Sequence, residues 1–203
     1  MISYLIFGVT YAFAAAVQPG PFQTYIISKT LSRGWKRALP AAFSPLLSDV
    51  PIIILALLLL NQVRDGFFQF LHCGGGIFLL YLSSRSFRAW WNFDTNNIVD
   101  VQSSQQTLLN AALVNVLNPN PYIGWSLIMG PLFLKGWREA PINGISLLLA
   151  FYCTMIISLV GIIILFAFAR NLGPRVNRIS LGLSGVALAF FGVYQLWLSV
   201  NLE

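Results

Sequence analysis

The amino-acid sequence predicts an all-α membrane protein with six transmembrane helices, arranged as two inverted three-helix repeats in which helices 1 and 4 are broken. Three observations predict this fold class. The 203-residue chain is 57% hydrophobic and only 9% charged, whereas a soluble domain carries about 25% charged residues. The hydrophobic residues form six long runs, and a Pro-rich motif in the first run returns in the fourth. A chain of this composition cannot cover a soluble surface, so the lipid bilayer must surround most of it.

The predicted spans follow from the lengths of the hydrophobic runs, because crossing the hydrocarbon core takes about 20 apolar residues. The runs lie at about residues 2–29, 38–60, 66–90, 107–134, 142–169 and 179–200. The connections are short and carry most of the charge, and only residues 92–106 have the composition of a polar linker. The sequence therefore predicts a single transmembrane domain over residues 1–203.

An internal repeat relates the two halves of the chain. The first copy, at residues 18–40, reads QPGPFQTYIISKTLSRGWKRALP, and the second, at residues 118–141, reads NPNPYIGWSLIMGPLFLKGWREAP. Both copies begin with amide-Pro-x-Pro and later contain Gly-Trp-basic, which indicates two duplicated units at about 1–91 and 107–200. Because each unit has three spans, the second must enter the membrane from the opposite side. Inverted repeats of this kind are common among secondary transporters.

The basic residues predict how the chain is oriented. Nine Lys and Arg residues belong to the connections between spans 1 and 2, 3 and 4, and 5 and 6, and three belong to the other two connections. Cytoplasmic connections are enriched in basic residues, so both termini are predicted to be extracytoplasmic. The same enrichment explains the net charge of +6 without a nucleic-acid partner.

The two Pro motifs interrupt spans 1 and 4 in the middle of hydrophobic runs. Proline removes a backbone donor, and an interrupted helix is tolerated in a membrane where it faces protein or a wet cavity. The first half-helix is expected to begin near Pro21 or Phe22. The second is expected to begin near Pro121 or Tyr122, with an asparagine as its cap.

Breaks at matching positions of two inverted repeats point to a central binding site, and helix N-termini favour an anionic group such as a carboxylate. The alternative is a pair of plain proline kinks that neighbouring spans satisfy. The residues predicted to bind a solute are Gln18, Pro19, Gly20, Pro21, Gln23, Asn115, Asn118, Pro119, Asn120 and Pro121.

Asp49 is the only acidic residue within a predicted span. A carboxyl group at membrane depth costs about 2.5–3.5 kcal/mol on insertion scales, which makes it a functional candidate. Asp49 is therefore the predicted proton-coupling residue, and the alternative is a helix-end cap or a structural ion pair with Lys29 or an arginine. The corresponding stretch of the second repeat, LLLAFYCTMIISLV, contains no carboxylate.

Neither a metal site nor a cofactor is predicted. His72 and Cys73 are adjacent, so they point to different sides of a helix, and Cys73 and Cys153 form no CxxC motif. With one histidine and no P-loop motif, the chain is not expected to be an enzyme. Small residues four apart, at Gly8, Ala12 and Ala16 and again at Gly185 and Ala189, predict close helix packing.

The motifs together resemble the lysine-exporter (LysE/RhtB-type) translocator family, and the resemblance covers the whole chain. It rests on Pro19-Gly20-Pro21, the basic loop with Gly34, the intramembrane Asp49 and Asn118-Pro119. It implies a six-span exporter of amino acids or other small solutes in the bacterial inner membrane, generally driven by the proton gradient. It also implies motif roles for six of these residues, Pro19, Gly20, Pro21, Asp49, Asn118 and Pro119.

The sequence departs from the family pattern at two positions. Ser48 stands before Asp49 where the family usually has glycine, and Asn120 follows Pro119 where the family usually has a basic residue. The predicted partners are the bilayer, a small solute with an amino acid as the first choice, and protons, and a homodimer is left open. A divalent-cation transporter of the same superfamily, a membrane thiol–disulfide carrier and an assembly or lipid-handling protein are the alternatives.

Overall fold

The computed structural model describes residues 1–59, 65–91, 104–170 and 173–201, which are helical almost throughout and contain no strand. The predicted linker at 92–106 lies outside the described residues up to position 103, and Ser104 already begins a helix. The α-helices are α1 (Ile2–Val17), α2 (Pro21–Arg33), α3 (Trp35–Ala38), α4 (Ser44–Leu59), α5 (Asp65–Trp91), α6 (Ser104–Val116), α7 (Pro119–Gly124), α8 (Gly130–Glu139), α9 (Pro141–Arg170) and α10 (Pro174–Asn201). A 3₁₀ turn (Leu39–Phe43) joins α3 to α4, and a π-helical turn (Trp125–Met129) joins α7 to α8.

Three helical stretches of the described chain are long and apolar enough to cross a membrane: Trp35–Ala56, Pro141–Ala169 and Gly182–Asn201. Helices α1 and α2 form a fourth candidate, bent by 64° at the break between them. The regions predicted as spans 3 and 4 are not among these stretches. Helix α5 includes three consecutive glycines and several polar residues near its end, and span 4 is divided into shorter helices.

The first break has the predicted position. Helix α1 ends at Val17, Gln18 is extended, and α2 begins at Pro21 after the extended Gly20. Proline fits the first position of a helix because the N–H that it lacks has no helical acceptor there. The backbone thus restarts where the sequence indicates.

The second break lies two residues earlier than predicted. Helix α6 ends at Val116, and α7 begins at Pro119 rather than at Pro121. The reason is the cap: Asn118 Oδ1 accepts the Asn120 N–H at 3.2 Å, so the first turn forms directly after Asn118. The predicted asparagine cap is confirmed, with Asn118 in that position.

Helices α1 and α9 pack closely and run in the same direction. A Cβ at Gly8 would lie 2.7 Å from Leu147 O and 3.0 Å from Ala150 Cβ. Near the start of α1, Tyr4 donates its hydroxyl hydrogen to Glu139 at 2.9 Å, just before α9 begins. The predicted small-residue contact is confirmed, since Gly8 and the buried alanines that follow it let the two backbones approach.

Replacing Gly8 by valine should destabilise the protein. The side chain would collide with the α9 backbone, and overpacking of this kind costs about 1–3 kcal/mol of the free energy of unfolding. Thermal unfolding in detergent measures the loss. Gly161→Val on α9 is the matched control, because none of the described residues lies within 4 Å of its added Cβ. Equal melting temperatures for the two variants would contradict the close packing.

Helices α5 and α10 form an antiparallel pair. Ser83 on α5 donates to Gly185 O on α10 at 2.8 Å, and further along the pair Gly182 lies against the Trp90 ring. Gly185 lies against the Phe87 ring, so the contact predicted at this glycine is confirmed. Helix α10 also contacts α2, and α5 contacts α7, so the pair lies beside both helices that begin at the breaks.

The glycines of the two Gly-Trp motifs have different local roles. Gly34 adopts φ 82° and ends α2, a conformation that disfavours residues with a Cβ. Gly136 lies within α8, where an added Cβ would meet the Tyr4 ring at 2.9 Å. The repeated motif is therefore used once to end a helix and once to pack against one.

Candidate functional site

A cavity of about 120 Å³ lies between the two helix breaks. One part of its wall is polar and is formed by the amides around the breaks and by Asp49. The other part is apolar and largely aromatic, and includes Tyr11, Ala15, Phe22, Pro45, Gly124, Trp125, Phe151 and Met155. The broken backbone thus borders a space with both polar and apolar walls.

The structure brings together most of the residues that the sequence singled out. The predicted residues in the cavity wall are Gln18, Pro19, Gly20, Gln23, Asp49, Asn115, Asn118, Asn120 and Pro121. Pro21 and Pro119 are not in the wall, and each is the buried first residue of a helix, α2 and α7 respectively. These two prolines begin the helices at the breaks but lie outside the cavity wall.

Gln23 connects the two sides of the first break. Its Nε2 donates to Ala15 O at 3.0 Å and to Ala16 O at 3.1 Å. These carbonyls belong to the last turn of α1, where the break removes their helical donors. Gln23 therefore stabilises the end of α1, and Gln18, Asn118 and Asn120 provide amides to the cavity.

Asp49 is 4% exposed and lies on α4 in the cavity wall. Its Oδ1 accepts a hydrogen bond from Asn115 Nδ2 at 2.8 Å, and its Oδ2 accepts one from the Tyr152 hydroxyl at 3.3 Å. The Trp125 indole N–H also donates to the carboxyl. Asn115 Nδ2 also donates to Ser48 Oγ at 2.7 Å, so Ser48 contributes to the same network.

All of these hydrogen-bond partners are neutral. Among the described residues that line the cavity, Asp49 is the only charged one. The three donors come from α6, α9 and the π-helical turn, so the carboxyl is held by several elements at once. Donated hydrogen bonds favour the ionised carboxyl, and a close basic partner would favour it further.

Sequence reasoning missed the aromatic part of the site. Tyr152, Trp125 and Phe151 lie in hydrophobic runs, where aromatic residues are common in any membrane protein. The internal repeat contained a signal for one of them. Asp49 follows Gly34 by 15 residues, and Tyr152 follows Gly136 by 16, so Tyr152 occupies nearly the position that corresponds to Asp49.

The remaining reactive side chains lie apart from this site. Cys73 and Cys153 are exposed on α5 and α9, and His72 is buried on α5. Within the described ranges, no group of three His, Cys, Asp or Glu side chains is arranged to hold a metal ion.

Comparison with known proteins identifies the family. The model of the LysE type translocator family matches residues 13–199, which is most of the chain. No curated protein and no solved structure gives a significant match. The fold and the family together define a multi-pass membrane transporter of small solutes. The chain belongs to the LysE type translocator family.

Proposed function

We propose that the protein is a secondary transporter that exports amino acids or similar small solutes from the cytoplasm by proton antiport. The observation that carries the proposal is the position of Asp49, a buried carboxyl with neutral partners in the wall of a cavity between two helix breaks. The cavity is the solute site, and Asp49 is the group that takes up and releases the proton.

The polar and apolar parts of the cavity wall are suited to a small amphipathic solute. The amides of Gln18, Asn118 and Asn120 offer hydrogen bonds to polar groups, and the N-terminus of α2 offers free N–H groups to a carboxylate. Phe22 and Phe151 lie in the apolar part, against which an aliphatic or aromatic side chain would pack. The volume of about 120 Å³, compared with the ~30 Å³ that one water molecule occupies in the liquid, restricts the solute to a small one.

The contacts of Asp49 support its role in coupling. Asn115 and Tyr152 stabilise the ionised carboxyl by donating hydrogen bonds, while burial favours the neutral form. In the proposed cycle, the outward-facing carboxyl gains a proton, and the inward-facing carboxyl releases it as the solute binds.

The helix pairings support two inverted repeats, at about 1–91 and 107–200, within one transmembrane domain. The first half of broken span 1, α1, packs on α9, and the first half of broken span 4, α6, packs on α4. Each broken helix thus contacts the second span of the other repeat. The parallel pair α1–α9 and the antiparallel pair α5–α10 also agree with six alternating crossings.

We expect both termini on the extracytoplasmic side of the bacterial inner membrane. The reason is the nine-to-three distribution of basic residues between the two sets of connections. A C-terminal alkaline phosphatase, which is active only after export, should be active, and a C-terminal fluorescent protein that matures only in the cytoplasm should stay dark. The opposite pattern would contradict this orientation.

The alternative of a divalent-cation transporter gains no comparable support. Such a site needs several oxygen, nitrogen or sulfur ligands around the ion. Asp49 is the only acidic side chain among the described residues of the cavity wall.

Metabolite profiling of cells with and without the protein tests the proposed function. We expect one amino acid or similar small solute to accumulate in the medium only when the protein is present. Cells that produce the Asp49→Asn protein at the same level are the control and should resemble cells without the protein. A change in cellular metal content with no organic solute exported would contradict the proposal and favour the cation alternative.

A further inference from the structure

The second break leaves a backbone carbonyl without its helical donor. In a continuous helix, Leu117 O would accept the N–H of residue 121, but the extended Asn118 (ψ 123°) between them ends the helical pattern. The preceding N–H, that of Asn120, already donates to Asn118 Oδ1 at 3.2 Å. A carbonyl left unpaired at membrane depth is costly, so another group has to provide a donor to Leu117.

Gln195 on α10 lies beside this carbonyl. Its side chain is 5% exposed, and its Oε1 has no hydrogen-bond partner in the described part of the chain. A Cβ added at Gly75 on α5 would meet Gln195 Oε1, and it would meet Leu117 O at 2.6 Å. The two oxygens therefore face one point, where α5, α10 and the second break come together.

Gln195 Oε1 and Leu117 O are both hydrogen-bond acceptors. Either a donor lies between them, or one of the two atoms has to be replaced by a donor. The exchange needs only a half-turn of the Gln195 carboxamide, which replaces Oε1 by Nε2 with almost no change of shape. A bound cation would need more oxygen ligands than these two. The rotated amide satisfies the carbonyl and removes the unpaired oxygen from the same point.

We propose that Gln195 is a positioning residue, whose Nε2 donates to Leu117 O in place of the helical N–H that the break removes. The first break provides the precedent, since Gln23 Nε2 donates to the freed carbonyls of Ala15 and Ala16. Each break would thus be stabilised by one glutamine amide. Gln195 lies outside the cavity wall, and its hydrogen bond would fix the turn that places Asn118 in that wall.

The inference depends on the geometry of the break and holds for any transported solute, so its test is independent of the proposed function. The first experiment is the substitution Gln195→Met, which keeps the length of the side chain but loses its hydrogen bond. This change should lower the melting temperature in detergent by several degrees.

An unchanged melting temperature would overturn the proposal, because removal of the amide would then cost Leu117 O nothing. Melting in sodium chloride and in choline chloride should also agree. A stabilisation by sodium that Gln195→Met abolishes would assign a cation to this point and overturn the amide assignment.

A spectroscopic measurement distinguishes the hydrogen bond from packing. In protein labelled with ¹⁵N-glutamine, the Gln195 signal is the side-chain amide pair that is missing from the Gln195→Met spectrum. One proton of this pair should exchange slowly with deuterium because it is hydrogen-bonded to Leu117 O. Rapid exchange of both protons would show that the amide makes no such bond.

Discussion

The Asp49→Asn protein should fold and insert into the membrane but lose export against a gradient. Asparagine keeps the shape of the side chain and much of its hydrogen bonding to Asn115 and Tyr152, but it cannot carry a proton through the cycle. A membrane potential of 100 mV provides about 2.3 kcal/mol per charge, enough for a roughly fifty-fold solute gradient. That gradient should disappear in the variant. Solute efflux from reconstituted vesicles with an imposed pH gradient measures it.

Glu139→Gln is the matched control, because it makes the same change from carboxyl to amide in an exposed side chain outside the cavity wall. This variant should still export uphill. A structural role for Asp49 predicts a different pattern, in which Asp49→Asn lowers expression or thermal stability but the folded protein still transports. Uphill export by Asp49→Asn at a near-normal rate would show that Asp49 is not the coupling residue.

Replacing Asn115 by leucine should have the second largest effect on export. The change removes the 2.8 Å hydrogen bond to Asp49 Oδ1 and the contact with Ser48 Oγ. Hydrogen bonds to charged groups contribute about 1.5–3 kcal/mol, and the loss disfavours the ionised carboxyl. Because 1.36 kcal/mol corresponds to a factor of ten, the step in which Asp49 releases its proton should slow by roughly ten- to a hundred-fold. Initial rates of proton-driven efflux measure the effect.

Asn110→Leu provides the control for this prediction. Asn110 is a half-buried amide on the same helix, and its side chain hydrogen-bonds with Tyr25 rather than with Asp49. The Asn110→Leu protein should lose some stability, but once folded it should keep most of its export rate. If Asn110→Leu and Asn115→Leu export equally well, the hydrogen bond from Asn115 does not control the carboxyl.

The sequence predicted the breaks because proline chemistry is local. Pro21 can begin a helix but cannot sit inside one without loss of a hydrogen bond, so the start of α2 could be predicted to within one residue. At the second break, two prolines lie two residues apart, and the start was predicted at the later one, near Pro121 or Tyr122. The side-chain bond from Asn118 to the Asn120 N–H selects the earlier one, and a proline pattern alone does not contain that choice.

The amides of the cavity wall were predictable as a set but not in their individual roles. Gln23 was predicted to bind the solute, yet its Nε2 is engaged by the end of α1. Tyr152 was not predicted at all, because a tyrosine in a hydrophobic run is ordinary until its distance from a buried carboxyl is known. Which polar atoms meet across helices depends on the packing of α4, α6 and α9, and periodicity does not report that packing.

Proton movement that accompanies solute export tests the central claim most directly. Vesicles that contain the wild-type protein, the exported solute and a pH-sensitive dye are diluted into solute-free buffer of the same pH. Antiport predicts that the interior becomes acidic as solute leaves, and that vesicles with the Asp49→Asn protein show no acidification. Solute leaving the wild-type vesicles with no change of internal pH would contradict proton antiport through Asp49.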